Sequence, residues 1–294
     1  MQVDLLAGTG HRPLAIPRPQ PTILVFDSGL GGLTVFREVA KARPDARYIY
    51  LADDARFPYG RIPETELVAR VLDVIGDAIT TWHPDLAVIA CNTASTLALA
   101  PLRAAFTVPF VGTVPAIKPA CAGSRSKLVS VLGTEATVAR EYTKSLIREF
   151  AQDCSVTLVG AARLATFAEA ELNGAPATDA ELRAEIAPCF IEHDGKRTDT
   201  VALACTHYPL LLDRLAALAP WSVDWIDPAP AIARRVVGLI GTPNEQMSGL
   251  ANGLATLSAD IVFTSGRAPA PHLMRALASF GFTSTATPHK AALR

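Results

Sequence analysis

An α/β fold of two pseudo-symmetric, three-layer domains with mainly parallel sheets is what this sequence predicts. Three observations carry the prediction. Short β-branched apolar runs alternate with longer segments of helical periodicity. The runs are predominantly apolar, as expected of strands covered by helices on both faces. They also fall into two series. "ILVFDSG", "YIYLADD" and "AVIACNT" form the first, and "LVSVLGT", "VTLVGAA" and "VALACTH" the second. Each series closes on a strand that ends in Ala-Cys, which reads as duplication of a three-strand unit.

In chain order, strands are expected at 22–26, 47–52, 86–90, 127–132, 155–160, 200–204 and 222–226. Helices are expected at 31–42, 63–82, 95–105, 135–152, 177–194, 208–219 and 229–241. Residues 1–21, with Pro13, Pro17, Pro19 and Pro21, read as an irregular extension. Pro115 and Pro119 in "GTVPAIKPA" mark a crossover, and "WIDPAPAIA" (225–233) marks a return. The first domain is therefore expected to be 22–113 plus 228–294, and the second 114–227.

Half of the 294 residues are apolar, 19% are charged and the net charge is −1. This is the composition of a globular chain, with no bulk electrostatic case for a nucleic acid or a membrane surface as partner. No apolar run reaches the roughly 18 to 20 residues that span a bilayer. The N-terminus lacks a basic start followed by an apolar stretch, so no export signal is read and the cytoplasm is the expected compartment. The five cysteines, Cys91, Cys121, Cys154, Cys189 and Cys205, show neither C-x-x-C nor zinc-finger spacing. Neither a disulfide framework nor a metal site is expected.

In open parallel sheets, ligands bind at the carboxyl ends of strands. Asp27, Asp53, Cys91, Gly133 and Cys205 all stand at such ends. If the two halves face each other, Cys91 and Cys205 meet across one cleft. A thiol with an ordinary pKa near 8.5 accepts a proton when ionised and donates one when not. Two of them on opposite faces of a carbon would invert it. Asn92 and Thr93 follow Cys91, and Thr206 and His207 follow Cys205, at turns into helices where N–H groups favour anions. His207 is placed to assist Cys205, and Asp27 to assist Cys91.

A lone cysteine at a strand end is ordinarily a small hydrophobe, and Cys121, Cys154 and Cys189 read that way. His11, His83, His193, His272 and His289 carry no motif and read as surface or helix-end residues. "DSGLGG" sits where a phosphate loop would sit, but it lacks Lys-Ser/Thr and is not G-x-G-x-x-G. It reads as a tight turn presenting N–H groups to a small carboxylate. On pattern alone, "PYG" (58–60) is a surface turn.

The ordered set "FDSGLGGLTV" (26–35), "DARFPYGR" (54–61), "ACNTAS" (90–95), "VGTVPAIKPA" (111–120), "GTEATVAREY" (133–142), "ACTHYPLL" (204–211) and "IDPA" (226–229) resembles the glutamate racemase family. That family belongs to the cofactor-independent aspartate/glutamate racemases. "FTSG" and the later "FGF" resemble its C-terminal end. The resemblance implies two α/β domains with the active site in the cleft between them, no cofactor, glutamate as substrate and a homodimer. It makes Cys91 the base toward D-glutamate and Cys205 the base toward L-glutamate. It sets Asp27, Ser28, Tyr59, Gly60, Asn92, Thr93, Thr206 and His207 against the substrate. Auxiliary acid–base roles fall to Asp27, His207 and a second-domain carboxylate, Glu169, with Glu171 as the alternative. The segment before Glu169 lacks the family's usual Cys-Pro and Val-Pro residues, Ala204 stands where glycine is frequent, and Arg140 stands where serine is common.

Other readings compete. Another amino acid such as aspartate differs by one methylene, worth about 1 to 3 kcal/mol in a pocket. A decarboxylase on this fold would need one working thiol. A hydrolase or acyl transferase would pair Cys205 with His207, but neighbours at one strand end seldom point at each other. A bilobal binding protein needs neither thiol. A pyridoxal-phosphate enzyme would need a lysine at a strand end beside a phosphate loop, and none is found.

Overall fold

Strand β1 (Thr22–Asp27) is buried at every position after Thr22, and it organises the first of two compact units. The computed structural model describes residues 20–243 and 257–286. One unit is built from the chain up to Thr113 and from Ala229 on, the other from Val114–Pro228. The extension read at 1–21 lies outside the described residues up to residue 19, as do His11 and His289.

In the first unit β1 is flanked by β2 (Arg47–Ala52) and β3 (Leu86–Ile89). Beyond β3 lies β4 (Phe110–Gly112), and beyond β2 lies β11 (Ser258–Phe263), giving the order β11-β2-β1-β3-β4, all parallel. Helix α1 (Leu33–Ala42) packs on α10 (Ala229–Ile240), and α2 (Glu64–Trp82) packs on α3 (Asn92–Ala105). Full burial of the central strands requires helices on both faces, which makes three layers. His83 closes α2 in the left-handed conformation at φ 45°, a helix-end role.

The second unit repeats this order. Strand β5 (Leu128–Gly133) lies between β6 (Ser155–Gly160) and β9 (Thr200–Ala204), and β10 (Asp224–Ile226) lies beyond β9. All four are parallel. In each unit the first strand is central, the second lies on one side and the Ala-Cys strand on the other. Around the sheet pack α4 (Ile117–Gly123), α5 (Glu135–Ala139), α6 (Glu141–Phe150), α7 (Leu164–Leu172), α8 (Asp179–Ile186) and α9 (Leu212–Leu218). Along β9 the side chains alternate. Val201, Leu203 and Cys205 join one core cluster, and Ala202 and Ala204 the other.

Several expected helices are shorter or broken. The one read at 135–152 divides at Arg140, whose extended backbone (φ −69°, ψ 143°) caps α6. The one read at 177–194 stops at Ile186. Ala187–Cys189 tightens into a 3-10 turn containing Pro188, and β7 (Glu192–His193) turns into β8 (Lys196–Arg197) through Asp194 and Gly195, both at positive φ. An Asp-Gly pair is the sequence signal for such a hairpin. The segment read at 208–219 opens as a 3-10 turn over Tyr208–Leu211 with Pro209 inside it. β4, α4, α7, β11 and α11 (Pro271–Ala278) carry elements where the sequence reading assigned none.

The return of the chain to the first unit is fixed by a buried ion pair. Arg43, 1% exposed, donates to both carboxylate oxygens of Asp45 at 2.9 and 2.8 Å. Its Nη1 donates to the carbonyls of Ile240 and Gly241, at the C-terminal end of α10, at 3.0 and 2.9 Å. Replacing one partner of such a pair leaves the other charge buried and unpaired. Arg43→Met is therefore expected to lower unfolding free energy by about 3 to 5 kcal/mol in urea melts. A loss below about 1 kcal/mol, the range of an exposed pair, would show that Arg43 does not anchor α10.

Candidate functional site

In the first unit, β1 delivers Asp27 and β3 delivers Cys91 to the same edge of the sheet, since Phe26 pairs in register with Ile89. The turn after β1 is set by close packing. A Cβ on Gly32 would lie 2.8 Å from the Asp27 Cβ and 2.9 Å from the Tyr50 hydroxyl, so only glycine fits. Asp27 is fully buried, and its Oδ2 accepts from the Gly29 N–H at 3.1 Å. This local Asx-type bond fixes the turn. The Tyr50 hydroxyl donates to the Gly29 carbonyl at 3.0 Å.

Cys91 is the N-cap residue of α3, with extended backbone, and is 5% exposed. Its Sγ lies 3.6 Å from the Ser28 Oγ. Asn92 and Thr93 occupy the first helical turn and are buried. Neither amide atom of Asn92 finds a hydrogen-bond partner among the described residues. A buried amide without partners is costly, which leaves both its donor and its acceptor open to a ligand. Tyr59 is buried in a 3-10 turn (Tyr59–Arg61) and donates its hydroxyl proton to Asp53 Oδ2 at 2.6 Å. Burial first, and then the Asp53 charge, push its phenol well above the ordinary tyrosine value. Gly60, beside it, is exposed.

In the second unit, Cys205 follows β9 directly and His207 follows two residues later. The sequence reading placed His207 to assist Cys205, while noting that neighbours at one strand end seldom point at each other. Here they do. The chain leaves extended backbone at Cys205 and coils toward the 3-10 turn, bringing the His207 Nδ1 to 3.8 Å from the Cys205 Sγ. The other ring nitrogen, Nε2, lies 2.9 Å from Glu169 Oε1. Glu169 comes from α7, a segment with no element assigned from sequence. Glu171 lies two positions further round the helix, on a different face, and is held by Arg214 at 2.6 Å, which also binds Asp179. Glu169 is thus the carboxylate on the histidine.

Burial alone would lower the His207 pKa, but the hydrogen bonds to Cys205 and Glu169 outweigh it and raise it well above the ordinary value. In that charged form both ring nitrogens donate. Thr206 is buried between the two.

Two residue groups at the same strand ends were given no role by the sequence reading. Thr134 and Thr137 stand after β5, hydroxyl to hydroxyl at 2.9 Å, where Gly133 pairs with Ala204. Asp53, recognised at its strand end but given no role, binds Tyr59, Arg70 and Thr264. Arg70 and Thr264 come from distant segments, so no local motif signals them. The remaining cysteines differ in kind. Burial pushes Cys121 and Cys189 up to about 12, keeping them as neutral thiols, and the Cys154 Sγ lies 3.5 Å from the Cys121 carbonyl. Among the described residues no cluster of three or more His, Cys, Asp or Glu is placed to hold a metal ion.

Comparison with known proteins identifies the family of this chain. Residues 31–236 match the model of the Asp/Glu/hydantoin racemase family. The chain is 52% identical to the glutamate racemase of Brucella canis over 264 residues, 90% of this chain and 93% of that protein. It is 58% identical to that of Brucella anthropi over 219 residues, 74% and 79% of the two chains. Among solved structures, Escherichia coli glutamate racemase, crystallised with L-glutamate and the activator UDP-MurNAc-Ala, superposes with a TM-score of 0.80. It shares 37% identity and covers 90% of this chain and 97% of its own.

The His207–Glu169 contact makes a prediction. Glu169→Gln removes the negative partner, so the imidazole titration followed by 15N NMR should move down. Because the folded pKa of His207 lies above its unfolded value, its contribution to stability is present below about pH 6.5. That contribution is lost as pH rises through the folded value. The stability gap between wild type and Glu169→Gln should therefore narrow as pH rises above about 6.5. A histidine titration that does not move in the variant would refute the pairing.

Proposed function

The chain belongs to the Asp/Glu/hydantoin racemase family, and from that membership we propose that it interconverts L- and D-glutamate with two thiols as the acid–base groups. The observation that carries this is the repeated strand order. β3 and β9 hold equivalent places in two sheets of the same pattern, and each ends in a cysteine followed by buried polar residues. Inversion of an α-carbon needs a base on one face and an acid on the other. One thiolate takes the α-proton, the electron pair passes into the carboxylate, and the second thiol returns a proton to the opposite face. Cys91 is the base toward D-glutamate and Cys205 the base toward L-glutamate.

The neighbouring groups divide the remaining work. Asp27 and Ser28 attend Cys91, while His207, held by Glu169, attends Cys205. Asn92, Thr93 and Thr206 offer donors to the substrate carboxylates, aided by the N-terminal end of α3. Tyr59 and Gly60 line the turn beside them. No residue of this scheme calls for a cofactor. The relatives named above are glutamate racemases, which supports glutamate over aspartate. The enzyme acts as a cytoplasmic homodimer and supplies D-glutamate for peptidoglycan. Among the described residues no helix is long and apolar enough to cross a membrane.

The 3.8 Å Cys205–His207 contact alone would also suit acyl transfer, but that reading leaves Cys91 unused. The test separates them. In D2O, wild type should exchange the α-proton of both glutamate enantiomers and produce the opposite one. Cys91→Ser and Cys205→Ser should each lower turnover by about 10²- to 10⁴-fold. Activity should survive dialysis against chelator. Near wild-type turnover in either variant would end the two-thiol mechanism, and a trapped thioester on Cys205 would favour acyl transfer.

A further inference from the structure

The most heavily bonded buried carboxylate among the described residues of the first unit is Asp53, and the chemistry above does not use it. It is fully buried at the end of β2. Oδ1 accepts from Arg70 Nη2 and from the Thr264 hydroxyl, both at 2.6 Å. Oδ2 accepts from Arg70 Nε at 3.1 Å and from the Tyr59 hydroxyl at 2.6 Å. Burial alone would raise its pKa, but the bonds from Arg70, Thr264 and Tyr59 hold the carboxyl below its ordinary value, so it stays charged. The segment is stitched again one residue on. Asp54 accepts from the Ser265 N–H at 2.9 Å and from its hydroxyl at 2.5 Å.

These bonds join four separate stretches of chain: the end of β2, the 3-10 turn at Tyr59–Arg61, helix α2 and the end of β11. The turn packs against α3, the helix that Cys91 caps. A phenol has one proton, and Tyr59 gives it to Asp53. An anionic ligand at this turn must therefore be met by its backbone N–H groups or by the Arg61 guanidinium, and the placement of both depends on how firmly the turn is held. We propose that Asp53, Arg70 and Thr264 form a positioning clamp that fixes the Tyr59–Arg61 turn for substrate binding. The clamp takes no part in the proton transfer. Thr264 gives the returning C-terminal strand a part in the site. This inference rests on the racemase reading for its kinetic test only.

The variants are Thr264→Val, which removes one hydroxyl at nearly constant shape, and Asp53→Asn, which removes the charge that all three donors share. KM and kcat are measured for both glutamate enantiomers, and amide exchange is measured at Arg61 and Ile62, which donate to the Pro58 and Tyr59 carbonyls. Loss of one such hydrogen bond is worth about a tenfold change in binding. KM should rise about tenfold in Thr264→Val and further in Asp53→Asn, with kcat falling less than KM rises. Amide exchange at Arg61 and Ile62 should accelerate in both. Adding Tyr59→Phe to Thr264→Val should raise KM by less than the product of the single effects, because both act through one carboxylate. Unchanged KM in Thr264→Val, or kcat falling as much as KM rises, would overturn the clamp. If wild type turns over neither enantiomer, the racemase reading fails by itself. Exchange then decides the clamp, supported if faster in Thr264→Val and overturned if not. Should Asp53→Asn fail to fold, Thr264→Val carries the test.

Discussion

Parallel pairing is the constraint on which the rest depends. Every strand of the two large sheets runs the same way, so every strand of a sheet delivers its carboxyl end to one edge. Residues far apart in sequence are thereby neighbours without any loop being specially shaped to bring them together. Asp27, Asp53 and Cys91 share one edge, and Gly133 and Cys205 share the other unit's edge. The interior of each strand can then be wholly apolar, because helices cover both faces. Most polar chemistry is pushed to the ends, Ser130 in β5 being an exception that donates to the Cys189 carbonyl. A hydrogen-bonded ladder that exists for stability therefore also sorts the chain into an inert core and a reactive rim.

Burying charge at either end of the strands has a cost, and the same solution recurs three times, once before β2 and twice at carboxyl ends. Arg43 with Asp45, Asp53 with Arg70, and His207 with Glu169 are each a charge matched by an opposite charge and by further hydrogen bonds. Unmatched, each would be worth several kcal/mol against folding. The three differ in what the match secures. Arg43 fastens the end of α10, Asp53 fastens a turn beside Cys91, and Glu169 keeps a proton on the histidine next to Cys205. In the first unit two of these pairs involve the C-terminal return of the chain, through Ile240 and Thr264. The return is thus more than an added strand.

What the sequence made legible follows from how local the signal was. Buried strands announce themselves by continuous β-branched runs, and six of the seven expected strands begin within one residue of their observed starts. The two-fold pattern was visible because it repeats composition, not contacts. Helix limits were less legible, since periodicity persists past the point where backbone bonding stops. Arg140, Pro188 and Pro209 set those limits. Of the site, the residues contiguous with the cysteines could be read, because strand-end position and neighbour identity are both local. Arg70 and Thr264 could not, since they reach Asp53 from 17 and 211 residues away. The Cys205–His207 contact was read both ways, as assistance to the thiol and as a pairing that neighbours seldom make, for a related reason. An alternating strand would separate residues two apart only by translation, but this backbone had already left the strand.

The two cysteines hold equivalent places, yet their surroundings differ in a way the backbone explains. Cys91 caps a 14-residue helix that begins at the next residue, so the partial positive charge of a long helix end falls on it directly. Cys205 has no such helix. The chain after it makes a four-residue 3-10 turn before a helix of 7 residues begins at Leu212, and so short and offset an array of dipoles contributes little at the sulfur. At that place stands His207, kept protonated by Glu169. A side-chain cation supplies in one unit what the backbone supplies in the other. This fits a neutral hydroxyl, that of Ser28, standing beside the Cys91 sulfur. It also accounts for an imidazole backed by a carboxylate at Cys205. The two strands hold equivalent places, and local helix geometry decides which cysteine lacks a positive helix end and stands beside an imidazole instead.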